Sequence, residues 1–232
     1  MTEVDPILEY LCPACGNPYY SSCIGSYTII DTERFSDGSS WHDFSFYTWL
    51  TRCPECKQFF SKKHLFHFPI SRNVAFLLQL SEANGNSERR NKRRYGNFDF
   101  CLNDGECMLE FLEKAKEEGI YFPITVGEEE RSQVYIALYR DLWWHYNYIG
   151  GLYEDKKYVD HCQKLIDMLL SHEMTEETRL IVAELYRNIG EFEESGRWLA
   201  DVVPNEKTAL YIDCIKKHNK IKNRKTERIY FE

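Results

Sequence analysis

The sequence predicts an α+β protein: a small β-rich N-terminal module with four paired cysteines, followed by an α-helical domain of helix pairs. β-Branched and aromatic residues are concentrated in the first 70 residues, whereas apolar residues recur with helical spacing from Glu128 onward. We therefore expect three parts. They are a module at 1–70, connecting helices with a basic linker at 71–127, and a helical domain with a basic tail at 128–232.

The composition limits the classes of protein that fit. The chain has 232 residues, of which 43% are hydrophobic, enough for one large core or two modest ones. No apolar run is long enough to cross a bilayer, and the N-terminus is acidic where a secretory signal is basic. We expect a cytoplasmic protein with no membrane partner. The net charge of -8 argues against a basic coat for nucleic acid.

The N-terminal module is predicted to contain two strands. Segments 26–32 and 44–51 are rich in β-branched and aromatic residues, and the Ser- and Gly-containing segment 36–40 between them predicts a turn. Two strands alone are marginally stable in water. The module therefore needs a further cross-link.

Two Cys-x-x-Cys pairs are the strongest signal in the sequence: Cys12 with Cys15, and Cys53 with Cys56. Each pair presents two thiolates from one tight turn, and together they supply the four sulfurs that tetrahedral Zn²⁺ accepts. The 37 residues between Cys15 and Cys53 exceed the usual zinc-ribbon spacing, but the predicted strands occupy this interval. Four thiolates leave no open coordination position, so we expect a structural zinc ion.

Three other interpretations of these cysteines compete with zinc. A redox dithiol is disfavoured because two pairs in one small module favour a shared ion. Four unrelated buried thiols are disfavoured by the paired spacing. Rubredoxin-type iron uses similar Cys-Pro-x-Cys turns and stays an alternative to zinc.

The remaining cysteine and histidine side chains fit a metal site less well. Cys162 and Cys214 fall on apolar helical stripes and are expected in the core. Five others are candidates for an additional ligand, but we favour partly buried thiols and exposed imidazoles because no second tight pair accompanies them. These candidates are Cys23, Cys101, Cys107, His64 and His67.

Helical patterns follow the module. The first predicted helix covers 74–80 after an N-cap at Ser71, and the second ends at Gly119. A third begins at the acidic run from Glu128, and a later one begins after Thr175, whose hydroxyl is suited to cap it. Segments 191–202 and 206–218 complete the array.

An internal echo indicates that these helices form pairs. Residues 146–150, Tyr-Asn-Tyr-Ile-Gly, recur forty positions later as 186–190, Tyr-Arg-Asn-Ile-Gly. A helix pair buries its second apolar face only by stacking, so the echo favours stacked pairs over an ordinary bundle. The second copy resembles a tetratricopeptide (TPR) repeat in its small, aromatic, Gly and large apolar positions. These are Ala183, Tyr186, Gly190, Phe192 and Leu199.

The order of parts also resembles a family of uncharacterised bacterial zinc-ribbon proteins with C-terminal TPR-like helices, known as a domain of unknown function. The likeness is carried by the cysteine turn at 12–16, by Tyr47-Thr48-Trp49-Leu50 leading into the turn at 53–56, and by residues 186–199. The resemblance implies a cytoplasmic metal-binding protein and assigns no catalytic residues.

Two groups of side chains are candidates for partner contacts. Trp143 and Trp144 are adjacent in one predicted helix, so their indoles point about 100° apart. One is expected in the core, and the other against a neighbouring element or a partner. The second group is a basic run that can bind phosphate, although we favour a solvated linker because its surroundings are acidic. It consists of Arg89, Arg90, Lys92, Arg93 and Arg94.

These observations favour a non-catalytic protein. The sequence contains no G-x-S-x-G, Walker A or H-E-x-x-H motif. We expect macromolecular recognition, in which the helical surface binds a protein or peptide. Nucleic-acid binding through the zinc ribbon and the basic segments is the second hypothesis, and an enzyme of unrecognised type is the third.

Overall fold

The computed structural model describes residues 7–22, 34–39, 49–65, 67–69, 105–149, 152–206 and 208–229. The predicted strand at 26–32, most of the strand at 44–51, the helix at 74–80 and the basic run lie outside these residues. The chain divides into two compact units. The first contains Met1–Ile30 and Ser45–Val134, and the second contains Asp31–Phe44 and Tyr135–Glu232.

The described residues form eight strands and six α-helices. The strands are β1 (Ile7–Leu11), β2 (Pro18–Ser22), β3 (Arg34–Phe35), β4 (Leu50–Arg52), β5 (Phe59–Ser61), β6 (His67–Pro69), β7 (Ile120–Tyr121) and β8 (Arg228–Ile229). The helices are α1 (Gly105–Glu118), α2 (Glu128–Ile149), α3 (Lys156–Leu170), α4 (Glu176–Ile189), α5 (Phe192–Ala200) and α6 (Ala209–Lys220). None of these helices has the combination of length and apolar character that a membrane span requires.

The first unit contains two three-stranded sheets. In one, β1 lies between β2 and β6 and pairs with both in antiparallel fashion; in the other, β5 pairs antiparallel with β4 and parallel with β7. Each cysteine turn therefore closes a β-hairpin, between β1 and β2 or between β4 and β5. The rings of Tyr10 and Tyr19 stack at 5.8 Å across the first hairpin. They share a buried core with Cys12, Cys53 and Phe60, so two of the thiols are part of the hydrophobic interior.

Helix α1 agrees with its sequence pattern. Phe111, Leu112 and Ala115 are buried, and the ring of Phe59 in β5 meets Phe111 edge-on at 5.1 Å. The helix ends at Gly119, whose φ of 83° is a left-handed conformation that glycine adopts without strain.

In the second unit, helices α3 to α6 pack consecutively along the chain, and α6 also contacts α4. The hydroxyl of Thr175 caps α4 by accepting a hydrogen bond from the Thr178 N–H at 3.1 Å, as the sequence predicts. Gly190 ends α4 with a φ of 93°. A core cluster joins Ala183 with Leu199 and with residues of α6.

A short segment from the N-terminal third of the chain belongs to the second unit. β3 pairs antiparallel with β8, and Phe35 lies opposite Arg228. Residues 31–44 therefore group with the helices, although they lie between the two cysteine pairs in the sequence. The boundaries at residues 70 and 127 were expected to separate parts that fold independently. These boundaries stay predictions.

Candidate metal centre and buried polar cluster

The four paired cysteines converge at one point of the first unit. The sulfurs of Cys12, Cys15, Cys53 and Cys56 all lie within 4.8 Å of one another. The distance is 3.6 Å between the Cys12 and Cys56 sulfurs and 3.8 Å between the Cys15 and Cys53 sulfurs. A tetrahedral ion with metal–sulfur bonds of about 2.3 Å requires sulfur–sulfur edges of about 3.8 Å. The four side chains therefore fit a tetrahedral metal ion.

The two cysteine turns have the same backbone hydrogen bonds. In the first, the Cys12 N–H donates to the Asn17 carbonyl at 3.0 Å, and the Gly16 N–H donates to the Cys12 carbonyl at 2.8 Å. The second turn repeats both bonds from the N–H groups of Cys53 and Lys57, at 3.0 Å each. The Cys-x-x-Cys spacing thus builds two equivalent turns, each of which presents two sulfurs to the centre.

The residue after the second cysteine of each turn has a left-handed backbone conformation. Gly16 has a φ of 75°, and Lys57 has a φ of 63° at the equivalent position. This conformation is strained for a residue with a Cβ. The Lys57 ammonium donates to the Pro54 carbonyl at 2.5 Å, and Arg52 Nε donates to the Lys57 carbonyl at 2.8 Å, so side-chain bonds hold the strained turn.

The electrostatic surroundings of the thiols differ. Burial raises the pKa of the Cys12 and Cys53 thiols, because the interior disfavours a thiolate. The Asn17 backbone N–H, which donates to its sulfur, lowers the pKa of the exposed Cys15 thiol to about 7. A bound cation would compensate the charge of two buried thiolates.

Among the other candidate ligands, His64 has only 9% of its side chain exposed, contrary to the exposed imidazole that was expected, and its Nε2 lies 2.9 Å from the Glu130 carboxylate. His67 is in β6. Cys162 is buried in α3 and Cys214 is partly buried in α6, as expected of core residues. Within the described part of the chain, the four paired cysteines are the only group of three or more metal-binding side chains close enough to share an ion. Cys23 and Cys101 lie outside that part, and Cys107 falls in α1.

The two tryptophans have different environments. Trp143 is fully buried, and its Nε1 donates to Asn188 Oδ1 at 3.1 Å. Its indole is a core side chain, which leaves Trp144 as the partner-contact candidate of this pair. Trp144 is partly exposed, its Nε1 donates to the Asp37 carbonyl at 3.1 Å, and the Arg140 guanidinium lies over its ring at 4.8 Å.

A buried polar cluster in the second unit surrounds the turn at Ser36–Ser39. Asp37 Oδ1 accepts hydrogen bonds from the Ser39 N–H at 3.0 Å and from the Ser39 hydroxyl at 2.6 Å. Asp37 Oδ2 accepts from the Asn147 amide at 2.8 Å, and Asn147 Oδ1 accepts from the Tyr158 hydroxyl at 2.6 Å. Burial raises the pKa of the Asp37 carboxyl to about 6, even though these hydrogen bonds act in the opposite direction.

Ser36 binds an ion pair of α4. Its hydroxyl donates to Glu184 Oε1 at 2.6 Å and accepts from the Glu227 N–H at 3.0 Å and from Arg187 Nη2 at 3.4 Å. Arg187 Nε donates to Glu184 Oε2 at 2.7 Å. The side chains of Glu184 and Arg187 are completely buried, so each charge depends on the other and on this turn.

This cluster is missing from the sequence-based predictions. The sequence shows 36–40 only as a turn, because the contacts join residues 110 and 148 positions apart. One signal was present: Trp144 and Asn147 correspond to Glu184 and Arg187 under the forty-residue shift of the internal echo. Helix positions that contact one common segment therefore recur in both copies.

The chain was compared with protein-family models, with curated proteins and with solved structures, and none of them matches it.

Proposed function

We propose that this protein binds zinc at its four-cysteine centre for structural purposes and recognises a protein or peptide through its helical unit. The observation that carries the metal assignment is the set of four sulfurs within 4.8 Å of one another. Four thiolates fill a tetrahedral coordination shell and leave no position for water or substrate. The ion then joins two hairpins that are separated in sequence, and it has no catalytic task.

The recognition role rests on the helical unit. We propose that its helices stack as TPR-like pairs, in keeping with the resemblance to bacterial zinc-ribbon proteins with such helices. Support comes from the consecutive packing of α3 to α6 and from the equivalent positions of Trp144/Asn147 and Glu184/Arg187 on α2 and α4. Recurring side chains at equal positions of the first helices of successive pairs let stacked pairs bind one extended ligand.

Elemental analysis tests the metal assignment. Purified full-length protein is expected to contain one zinc per chain, and Cys53→Ser is expected to lose it. Cys214→Ser is the matched control, because this thiol lies in α6. One iron per chain in place of zinc, or equal metal content in the two variants, would contradict the assignment.

Affinity capture from the native host, followed by mass spectrometry, tests the recognition role. A partner retained by wild-type protein and lost from Asn147→Ala, with the helical circular dichroism of the variant unchanged, supports recognition through the helical unit, whereas equal retention contradicts it. Nucleic-acid binding is the competing function, and titration of binding to single-stranded RNA with salt separates the two. A steep loss of affinity with salt would favour nucleic acid, since released counterions dominate such binding.

A further inference from the structure

Two equivalent pairs of helix side chains contact consecutive residues of one short segment. Trp144 and Asn147 of α2 both bind Asp37, through its backbone carbonyl and its carboxylate. Glu184 and Arg187 of α4 both bind the hydroxyl of the preceding residue, Ser36. Both pairs have i, i+3 spacing and are related by the forty-residue shift. Each copy of the echo therefore contacts one residue of the segment.

The surface beneath this segment is polar. The helix groups that hydrogen-bond to Ser36 and Asp37 are an indole N–H, an amide and a carboxylate–guanidinium pair, all of which water can solvate when the segment leaves. A segment that covers apolar side chains would expose them on leaving, at a cost of about 25 cal/mol for each Å². The contacts at Ser36 and Asp37 resemble a polar binding interface more than a hydrophobic core.

We infer that residues 34–39 are a tethered occupant of the peptide-binding surface of the helical unit, and that an external partner binds there by displacing them. This inference rests on the proposed recognition function. The contacts define the partner's chemistry: a turn in which a hydroxyl residue precedes an aspartate, followed by glycine and a second hydroxyl residue. The hydroxyl satisfies the Glu184–Arg187 pair, and the carboxylate accepts from Asn147.

The first test uses a variant in which the five non-glycine residues of 34–39 are replaced by glycine. The probe is the acetylated and amidated peptide Arg-Phe-Ser-Asp-Gly-Ser, with an Asp→Ala peptide as the control. Binding is followed by NMR through the indole N–H signal of Trp144, assigned with Trp144→Phe. We expect the glycine variant to reach half-saturation at a peptide concentration at least tenfold lower than wild type, because the tethered segment competes at an effective concentration on the order of millimolar.

Either of two results would overturn the inference: a folded glycine variant that shows no shift at several millimolar peptide, or equal half-saturation in variant and wild type. A shift with the Asp→Ala peptide as large as that with the parent peptide would also overturn it, since the carboxylate would then be irrelevant.

Amide hydrogen exchange of the wild-type protein provides a second test that does not depend on the folding of a variant. The Ser36 N–H donates to the Glu227 carbonyl, which lies outside the segment, at 2.7 Å. If the segment undocks on its own, this amide exchanges at least tenfold faster than the most protected amides of α4. Exchange at the same rate as α4 would identify the segment as an integral part of the core and overturn the inference.

The two proposals fail in distinguishable ways. If the glycine variant binds the peptide but full-length protein retains no partner that depends on Asn147, the recognition function fails and the tethered segment stands. If a partner is lost from Asn147→Ala while the amides of the segment exchange as slowly as the most protected amides of α4, only the tethered-occupant inference fails.

Discussion

Gly16 and Lys57 occupy the same position of the two cysteine turns, and both are left-handed. A Cβ added at Gly16 would meet nothing within 4 Å, so the only cost of Gly16→Ala is conformational. We expect this substitution to lower the free energy of unfolding by about 1 kcal/mol. Lys57→Gly should leave it unchanged within about 0.5 kcal/mol, because the relief of strain is offset by the loss of the exposed ammonium–Pro54 hydrogen bond and by the greater entropy of the unfolded chain.

Denaturant titration of both variants with metal present measures this difference. Lys57→Val is the additional control. It should lower the free energy of unfolding, since a β-branched residue tolerates a left-handed backbone poorly. An equal loss of stability in Gly16→Ala and Lys57→Gly would contradict the assigned geometry of the turns.

The buried carboxyl of Asp37 should make stability depend on pH. Its pKa is about 6 in the folded protein, raised by burial and by the nearby negative charge of Glu184, against about 3.9 in an unfolded chain. The folded state therefore holds this proton more tightly, and stability should fall as the pH rises from about 4 to about 6. The shift of about two units corresponds to roughly 2–3 kcal/mol.

The side chain introduced by Asp37→Asn carries no charge throughout this pH range. This variant should therefore lack the pH-dependent contribution to stability. We expect the free energy of unfolding of wild type, taken relative to Asp37→Asn, to decrease by roughly 2–3 kcal/mol between pH 4 and pH 7. Asp201→Asn, at an exposed position, is the control. Parallel pH profiles for wild type and Asp37→Asn would contradict the raised pKa.

At the scale of single elements, the cap of α4 makes a local contribution. Thr175 Oγ1 accepts a hydrogen bond from the Thr178 N–H at 3.1 Å, which satisfies one of the free donors of the first helical turn. Thr175→Ala should lower the free energy of unfolding by about 1 kcal/mol, whereas Thr175→Ser should keep most of the stabilisation by the cap because it keeps the hydroxyl. Thermal unfolding of the two variants measures the effect, and equal losses would show that the hydroxyl is not the capping group.

Elements with local signals were predictable from the sequence. The ends of α1 and α4 follow from Gly119, Thr175 and Gly190, because capping depends on residues within one turn. Strands β1, β2 and β5 were not predicted. They are short and flank the cysteine turns, and β1 and β5 also pair with β6 and β7, which are distant in sequence, so local propensity says little about them.

At the scale of the whole molecule, the two candidate sites also differ in how far the sequence predicts them. The four cysteines were predictable because a Cys-x-x-Cys spacing already fixes two ligands in one turn, and only one long-range contact remains to be inferred. The cluster around Asp37 was not predictable from the sequence, since a Ser-Asp-Gly-Ser turn is common in loops and its helical partners are ordinary polar residues. Chain topology, which places residues 31–44 among the helices, is what creates that cluster.

The two units should respond differently to loss of the metal. Binding of zinc to small cysteine sites is worth on the order of 10 kcal/mol, which exceeds what short hairpins supply by themselves. Cys53→Ser should therefore abolish amide protection in β1, β2, β4 and β5, while α3 to α6, whose core contains none of the four ligands, keep theirs. Hydrogen exchange with mass spectrometry resolves the two sets of peptides, and Cys214→Ser is the matched control. Loss of protection to the same extent in α3 to α6 would show that the four-cysteine centre stabilises the helical unit as well.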